Sequence, residues 1–191
     1  MREAYGMPRR VWLHGKPFHG VNNFGLGGKD WHCVFMQILT PVSPALESLR
    51  TLNNEHAREL SFAGAPHFTH LVAQAFFARH IGTAAFIIAF DETADYDSEN
   101  FLWFRARFPR FVYVDRVVTA AAARGQGHAA TFYNALIQTA REAGQTQLTS
   151  EVNADPPNPA SDAFHAKFGF APIGSAALPN GKTVRYFSRS L

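Results

Sequence analysis

The sequence predicts an α/β (α+β) domain, and two adjacent segments carry most of this prediction. Residues Phe111–Thr119 are rich in valine and aromatic side chains, which is typical of a buried strand. Residues Gly127–Ala143 repeat apolar side chains at helical spacing, and Gly144 follows as a common helix stop. Further strand and helix patterns flank this pair, so both kinds of element build the domain.

The length and composition fit one globular domain with a sizeable core. The chain has 191 residues, of which 47% are apolar. The formal net charge is only +3, and the basic residues are scattered singly rather than clustered. This distribution argues against a nucleic-acid partner and suits a small polyanionic ligand.

The sequence shows no pattern typical of a membrane-spanning segment, a signal peptide or an internal disulfide. No apolar run approaches the roughly 18 residues that span a bilayer, and no signal peptide opens the chain. Cys33 is the single cysteine, so no internal disulfide can form. We therefore expect a cytoplasmic protein without a membrane partner.

Residues 1–35 differ from the rest of the chain. They are rich in Gly, His and Arg and show no sustained period of a helix or strand. We expect an N-terminal extension or arm over 1–35 and a single domain over 36–191. The alternative is that translation starts at Met36.

The remaining elements follow in order from periodicity and turn signals. Asp91–Arg110 is expected to be a polar-aromatic loop, and Asp155–Pro159 a stiff connector. Asn180-Gly181 between two apolar runs indicates a closing hairpin. The predicted helices are Pro44–Asn54, Phe68–Phe77 and Ser161–Phe168, and the other predicted strands are Met36–Leu39, Phe76–Ile81, Ala84–Phe90, Gln147–Asn153, Ala171–Leu178 and Thr183–Ser188.

A glycine turn, Arg124–Ala130, joins the strongest strand to the strongest helix. The first turn of a helix offers unpaired N–H groups and the positive end of its dipole, which suits a phosphate. Gly125-x-Gly127-x-x-Ala130 also fits the dinucleotide pattern, with Glu151 about 20 residues on as a ribose-binding acid. An alanine-rich gap before the turn and the short remainder after it count against that alternative, and an ordinary turn is the third interpretation.

Two motifs in order resemble the GNAT superfamily of N-acetyltransferases. Arg124-x-x-Gly127-x-Ala129 resembles its acetyl-CoA motif, and Asn158 through Phe170 resembles its second motif. The resemblance covers about residues 36–191 and looks closest to uncharacterised bacterial acetyltransferase-like proteins. It implies a mixed, twisted central sheet with helices on both faces and a splay between two parallel strands.

The resemblance also implies acetyl-CoA as co-substrate, bound in that splay. The pantetheine arm would contact the strand backbone, the pyrophosphate would sit on the turn, and two downstream side chains would line the other side. The implied cofactor residues are Val117, Val118, Thr119, Arg124, Gly125, Gln126, Gly127, His128, Ala129, Ala130, Asn158 and Phe164.

The implied activity is direct acetyl transfer to an amine of a small molecule, amino acid or peptide. Asp115 and Glu151 are candidate general bases, each with a structural ion-pair or hydrogen-bonding role as the alternative. His165 stands where the family often has a tyrosine general acid, and it could serve as that acid or lie on the helix surface. In strict alternation Asp115 shares a strand face with Val117, but a bulge would reverse this parity.

The predicted loop supplies candidate acceptor-binding residues: Tyr96, Asn100, Trp103 and Phe104. They could also simply bury their own aromatic rings. The nine histidines form no metal-binding pattern, so no metal is expected. A homodimer, a non-catalytic acyl-CoA-binding or regulatory module, and a dinucleotide-binding oxidoreductase complete the alternatives.

Overall fold

The computed structural model describes residues 35–191, so the expectations for the N-terminal extension and for Cys33 lie outside the described residues. The strands are β1 (Gln37–Ile38), β2 (Phe77–Ile81), β3 (Ala85–Asp91), β4 (Phe111–Thr119), β5 (Gln147–Asp155), β6 (Ala171–Ala177) and β7 (Thr183–Ser190). The helices are α1 (Leu46–Glu55), α2 (Ala65–Gln74), α3 (Glu99–Arg105), α4 (His128–Glu142) and α5 (Pro159–Lys167).

The seven strands form one mixed sheet in the order β1-β2-β3-β4-β5-β7-β6. All neighbours are antiparallel except β4 and β5, which are parallel. The predicted mixed sheet with one parallel pair is therefore confirmed. Because β4 and β5 are parallel, a crossover through α4 must connect them.

Helices cover both faces of the sheet, and the sequence of β3 shows why. Along Ala85–Phe90 every side chain is fully buried, and alternate residues enter different cores. Phe86, Ile88 and Phe90 pack with α1, α2 and α3, whereas Ala85, Ile87 and Ala89 pack with α4. A strand buried on both faces reads as a continuous apolar run, as this one does.

Two predicted segments need correction. The expected loop Asp91–Arg110 contains helix α3, which buries Phe101 and Phe104 completely. The second helix runs over Ala65–Gln74 rather than Phe68–Phe77, because Pro66 suits its first turn and strand β2 begins at Phe77.

A β-bulge interrupts the pairing of β3 with β4. Ile88 pairs with Arg116 and the next residue, Ala89, pairs with Val114, so Asp115 has no partner across the strands. The bulge reverses the alternation, so that Tyr113 and Val118 enter the same core while Val117 packs into the other. Asp115 consequently does not share a face with Val117.

Candidate functional site

The two parallel strands separate halfway along their length. Pairing covers Phe111–Val114 with Gln147–Ser150, and beyond these residues β4 and β5 have no pairs with each other. The gap opens into a cleft of about 710 Å³, lined by the separating ends of both strands. The predicted splay is thus confirmed.

The open edge of β4 presents backbone groups to this cleft. Ala120 N donates to Ala84 O across the antiparallel pair at 2.8 Å. Because such ladders alternate, Val118 bonds to β3, whereas Val117 and Thr119 turn their N–H and C=O groups towards the gap. Of the three predicted strand residues, these two have backbone groups that pair with no strand in the described part of the chain.

The glycine turn leads into the uncapped N-terminus of α4. Gly125 and Gly127 have φ values of 78° and 82°, a left-handed conformation that glycine adopts without strain. Among residues 35–191 no side chain caps the helix, and the first bond to the turn is Thr131 N to Gly127 O. The N–H groups of His128, Ala129 and Ala130 therefore have no helical acceptor, which is a suitable arrangement for an anion.

Glu151 lies where β5 leaves β4, with its carboxyl group enclosed. Its Oε1 accepts from Asn100 Nδ2 at 3.0 Å, and Oε2 is inaccessible without a hydrogen-bond partner of good geometry among residues 35–191. Burial, and then the negative charge of Asp115, raise the pKa of Glu151 to about 8. The Tyr113 hydroxyl beside this carboxyl lowers that pKa in part. Such a group can hold and release a proton near neutral pH.

Asp115 is instead committed to local partners. It accepts from Tyr96 Oη at 2.8 Å and from Arg116 Nε at 2.8 Å. Arg116 is buried and also donates to Asn53 Oδ1 at 2.7 Å and to Ser61 O at 3.0 Å. This network ties the bulge of β4 to the end of α1, so the geometry favours Glu151 over Asp115 as a base.

His165 is buried, with both ring nitrogens engaged. Nδ1 lies 2.8 Å from Ser161 O and so donates to it, which leaves Nε2 to accept from Tyr133 Oη at 2.9 Å. Burial lowers the pKa of His165 below its ordinary value. The ring stacks on Phe187 and also borders the cleft.

The other predicted side chains divide between cleft and core. Tyr96, Asn100 and Asn158 border the cleft, and the side chain of Asn158 caps α5 through Ser161 N at 3.2 Å. Phe164 packs against Tyr133, with ring centroids 4.9 Å apart. Phe104 is fully buried in the core.

Trp103 also packs away from the cleft. Its ring stacks on Tyr186 with centroids 4.0 Å apart. The absence of a side chain at Gly174 makes room for it, since a Cβ there would lie 2.9 Å from Trp103 Cζ2. Trp103 and Phe104 therefore pack beneath α3 and do not border the cleft.

The cleft has two further walls that sequence reasoning missed. Lys182 Nζ, in the β6–β7 hairpin, donates to Leu60 O at 3.3 Å, and Asn153 Nδ2 donates to Glu59 O at 3.1 Å. These bonds join the α1–α2 connection to β5 and the hairpin. The Asn-Gly signal located the hairpin, but nothing in the sequence paired it with Leu60, 122 residues earlier.

Neither Tyr113 nor Tyr186 was singled out from the sequence, and both lie near the carboxyl group of Glu151. Burial and the charges of Glu151 and Asp115 raise the pKa of Tyr113 well above its usual range. One hint for Tyr113 was available in the sequence: it lies two residues before Asp115, so strand alternation would put both side chains on the same face.

Within residues 35–191, no cluster of three or more His, Cys, Asp or Glu side chains could hold a metal ion. In the same part of the chain, every helix is too short or too polar to cross a membrane.

The splayed parallel pair and the open helix N-terminus define an α/β fold whose cleft lies between two strands of one sheet. A family model described as the acetyltransferase (GNAT) family matches residues 46–170. The chain belongs to this family. Comparison with curated proteins returned no match.

Solved structures with the same fold include three with TM-scores above 0.6. Ard1 from Thermoplasma volcanium has a TM-score of 0.63 and 15% identity, with 82% of this chain and 97% of that chain covered. The ribosomal-protein-alanine N-acetyltransferase from Brucella melitensis has a TM-score of 0.61 and 18% identity, covering 82% and 99%. A chain of the NatC complex bound to Gag peptide and CoA has a TM-score of 0.62 and 11% identity, covering 82% and 98%.

The glycine turn also separates this fold from the dinucleotide alternative. In a dinucleotide-binding domain the turn follows the first strand of the unit. Here it follows β4, after a short 3-10 turn at Ala121–Ala123, and it opens beside a splayed strand pair. The oxidoreductase interpretation is therefore discarded.

Proposed function

We propose that the protein is an N-acetyltransferase that moves an acetyl group from acetyl-CoA directly to an amine of a small molecule, amino acid or peptide. One observation carries the proposal: an enclosed carboxyl group, Glu151, lies at the apex of a gap whose opposite edge offers free backbone N–H groups. Membership of the acetyltransferase family supports it.

The residues of the cleft fit the co-substrate by their chemistry. The unpaired N–H groups at the start of α4 suit a pyrophosphate, and exposed Arg124 adds a positive charge at the cleft rim. The free backbone of Val117 and Thr119 suits the amides of a pantetheine arm, as an added strand would. Asn158 and Phe164 would support the opposite wall.

Glu151 is the proposed general base. The amine nitrogen would bond to the acetyl carbonyl carbon, the carbon–sulfur bond would break, and the amine proton would pass to Glu151 directly or through a water. Because burial raises the pKa of Glu151 to about 8, its ionised fraction grows with pH up to that value. The rate should therefore rise about tenfold per pH unit below pH 8 and then level off.

The developing negative charge on the acetyl oxygen would be met by the N–H of Val117. This group points into the gap, whereas that of Val118 bonds to β3. Asp115 as a base and His165 as the acid that protonates the leaving thiolate stay predictions. The two ring-nitrogen bonds of His165 support a structural role for it instead.

Peptide amines are the first acceptors to test. Ribosomal-protein-alanine N-acetyltransferase and NatC with Gag peptide share the fold, and their names point to protein and peptide acceptors. A panel should therefore combine short peptides with free N-termini, free amino acids and small amines.

Calorimetry with acetyl-CoA, followed by thiol release with this panel, tests the proposal. We expect binding in the micromolar to low millimolar range and amine-dependent release of free thiol. No binding at millimolar acetyl-CoA would refute the proposal. Binding without thiol release for any amine would favour the non-catalytic module.

Two glycine variants at opposite ends of α4 locate the binding site. Gly127 and Gly144 both have positive φ values, 82° and 71°, so alanine costs about 1 kcal/mol of strain at either position. Only Gly127→Ala should also weaken acetyl-CoA binding, because it perturbs the free N–H groups. Equal affinities of the two variants for acetyl-CoA would show that the glycine turn does not contribute to acetyl-CoA binding.

A further inference from the structure

A chain of contacts runs from helix α3 to Glu151. Tyr186 Oη donates to Asn100 Oδ1 at 3.0 Å, and Asn100 Nδ2 donates to Glu151 Oε1 at 3.0 Å. The Tyr186 ring is itself held by Trp103, which stacks on it at 4.0 Å. Three elements, α3, β5 and β7, thus meet at one carboxyl group.

The order of donors in this chain has a chemical consequence. An asparagine side chain can present either its oxygen or its NH₂ group, and the two orientations have nearly the same shape. A phenol hydroxyl donates readily, so Tyr186 holds the oxygen of Asn100 towards itself. The NH₂ group then faces Glu151, where it bonds more strongly to an ionised carboxylate oxygen than to the neutral oxygen of a protonated carboxyl group.

We propose that Asn100 and Tyr186 are positioning residues that keep the carboxylate of Glu151 oriented and ionisable. This proposal rests on the proposed function, in which Glu151 is the base. It reassigns Asn100 from acceptor binding, and it gives Trp103 the role of holding the Tyr186 ring. Without Tyr186 Oη, the amide of Asn100 can turn its oxygen towards Glu151, where only a protonated carboxyl group would bond to it.

Other groups act on Glu151 as well. They remain in place when the hydrogen-bond chain Tyr186–Asn100–Glu151, which we call the relay, is broken. They are the charge of Asp115 and the hydroxyl of Tyr113, both on β4. Tyr96 before α3 and Tyr133 of α4 lie near enough to experience the charge of Glu151, but neither bonds to its carboxyl group. The charge of Asp115 and burial both favour the protonated carboxyl, while Tyr113 and Asn100 favour the ionised one. Removing the Asn100 bond therefore shifts the balance in one direction, towards protonation.

The relay can be tested on the intact protein without knowledge of the acceptor. The Glu151 carboxyl is titrated by carbon-detected NMR in the wild type and in Tyr186→Phe, which keeps the ring that stacks on Trp103. We expect the pKa to rise by about one unit in Tyr186→Phe, and by one to two units in Asn100→Leu. Tyr133→Phe is the matched control, because it also removes a buried hydroxyl bond, that to His165 Nε2.

Turnover with an acceptor adds the second readout. In Tyr186→Phe the rising limb of the pH–rate profile should shift to higher pH by the same amount as the pKa of Glu151. The KM for acetyl-CoA should not change. In a Glu151→Gln background, Tyr186→Phe should cause no further loss of kcat.

The outcomes separate this inference from the proposed function. An unchanged Glu151 titration in both Tyr186→Phe and Asn100→Leu would overturn the relay, even with an active enzyme. A shift of the same size in Tyr133→Phe would also overturn it. Full activity and an unchanged pH limb in Glu151→Gln would instead overturn the proposed base, whatever the titration shows.

Discussion

Replacing Glu151 with glutamine should stabilise the fold, and the gain should grow with pH. Glutamine has almost the same shape and can still accept the bond from Asn100 Nδ2. It carries no charge, so the cost of enclosing an ionised carboxylate at this position disappears. The prediction concerns folding alone and needs no substrate.

The magnitude follows from linkage between protonation and folding. The pKa of Glu151 is about 8 in the folded protein against an ordinary 4.5, because burial favours the neutral form. Between these two values the folded protein keeps a proton that the unfolded chain has released, so stability falls as pH rises. At pH 7 the difference corresponds to about 3 kcal/mol, and below pH 4.5 it vanishes.

Urea unfolding of wild type and Glu151→Gln at pH 5, 6, 7 and 8 measures this difference. The variant should gain about 1 kcal/mol at pH 5 and about 3 kcal/mol at pH 7, with a melting temperature roughly 6–12 °C higher at pH 7. The control is Glu142→Gln on α4, which removes an exposed carboxyl group instead of an enclosed one. A constant difference for Glu151→Gln across this range would refute the reasoning.

Three further changes probe the surroundings of the site. Gly174→Ala should lower the free energy of unfolding by about 1–3 kcal/mol, measured in urea, because the new Cβ meets Trp103 at 2.9 Å. His165→Gln should lower the free energy of unfolding by about 1–3 kcal/mol and leave the pH–rate profile unchanged. If the variant instead kept its stability but lost one limb of the pH–rate profile, His165 would be the general acid. Arg116→Met should cost about 3–5 kcal/mol, because it leaves the buried charge of Asp115 without its positive partner, and adding Asp115→Asn should recover part of it.

The strand–turn–helix segment was predictable because its signals are local. Phe111–Thr119 has the predicted bounds, and α4 differs from its prediction by one residue at each end. Valines, glycines and helical spacing each act within a few residues of the chain, so tertiary packing had little to override. The splay between β4 and β5 came from the family resemblance and not from these signals.

Helix α3 and the bulge could not be derived in the same way. Glu99–Arg105 makes only two turns, and its stability comes from burying Phe101 and Phe104 under the sheet. The bulge at Asp115 depends on how β3 pairs with β4, and one extra residue reverses every later side chain. Parity along the strand was therefore indeterminate from the sequence.

The chemistry of the site depended most on distant contacts. Glu151 meets Asn100, 51 residues earlier, and Asn100 meets Tyr186, 86 residues later. The sequence named Glu151 and Asn100 as candidates but assigned them to separate roles. It also left His165 between a catalytic and a surface position, whereas the structure buries it against Phe187.

A crystal structure of the protein with acetyl-CoA tests the central claim most directly. The account predicts the pyrophosphate on the N–H groups from Gly127 to Ala130, the pantetheine arm along Val117 and Thr119, and the thioester beside Glu151. Acetyl-CoA bound outside the gap between β4 and β5, or with its thioester turned away from Glu151, would contradict it.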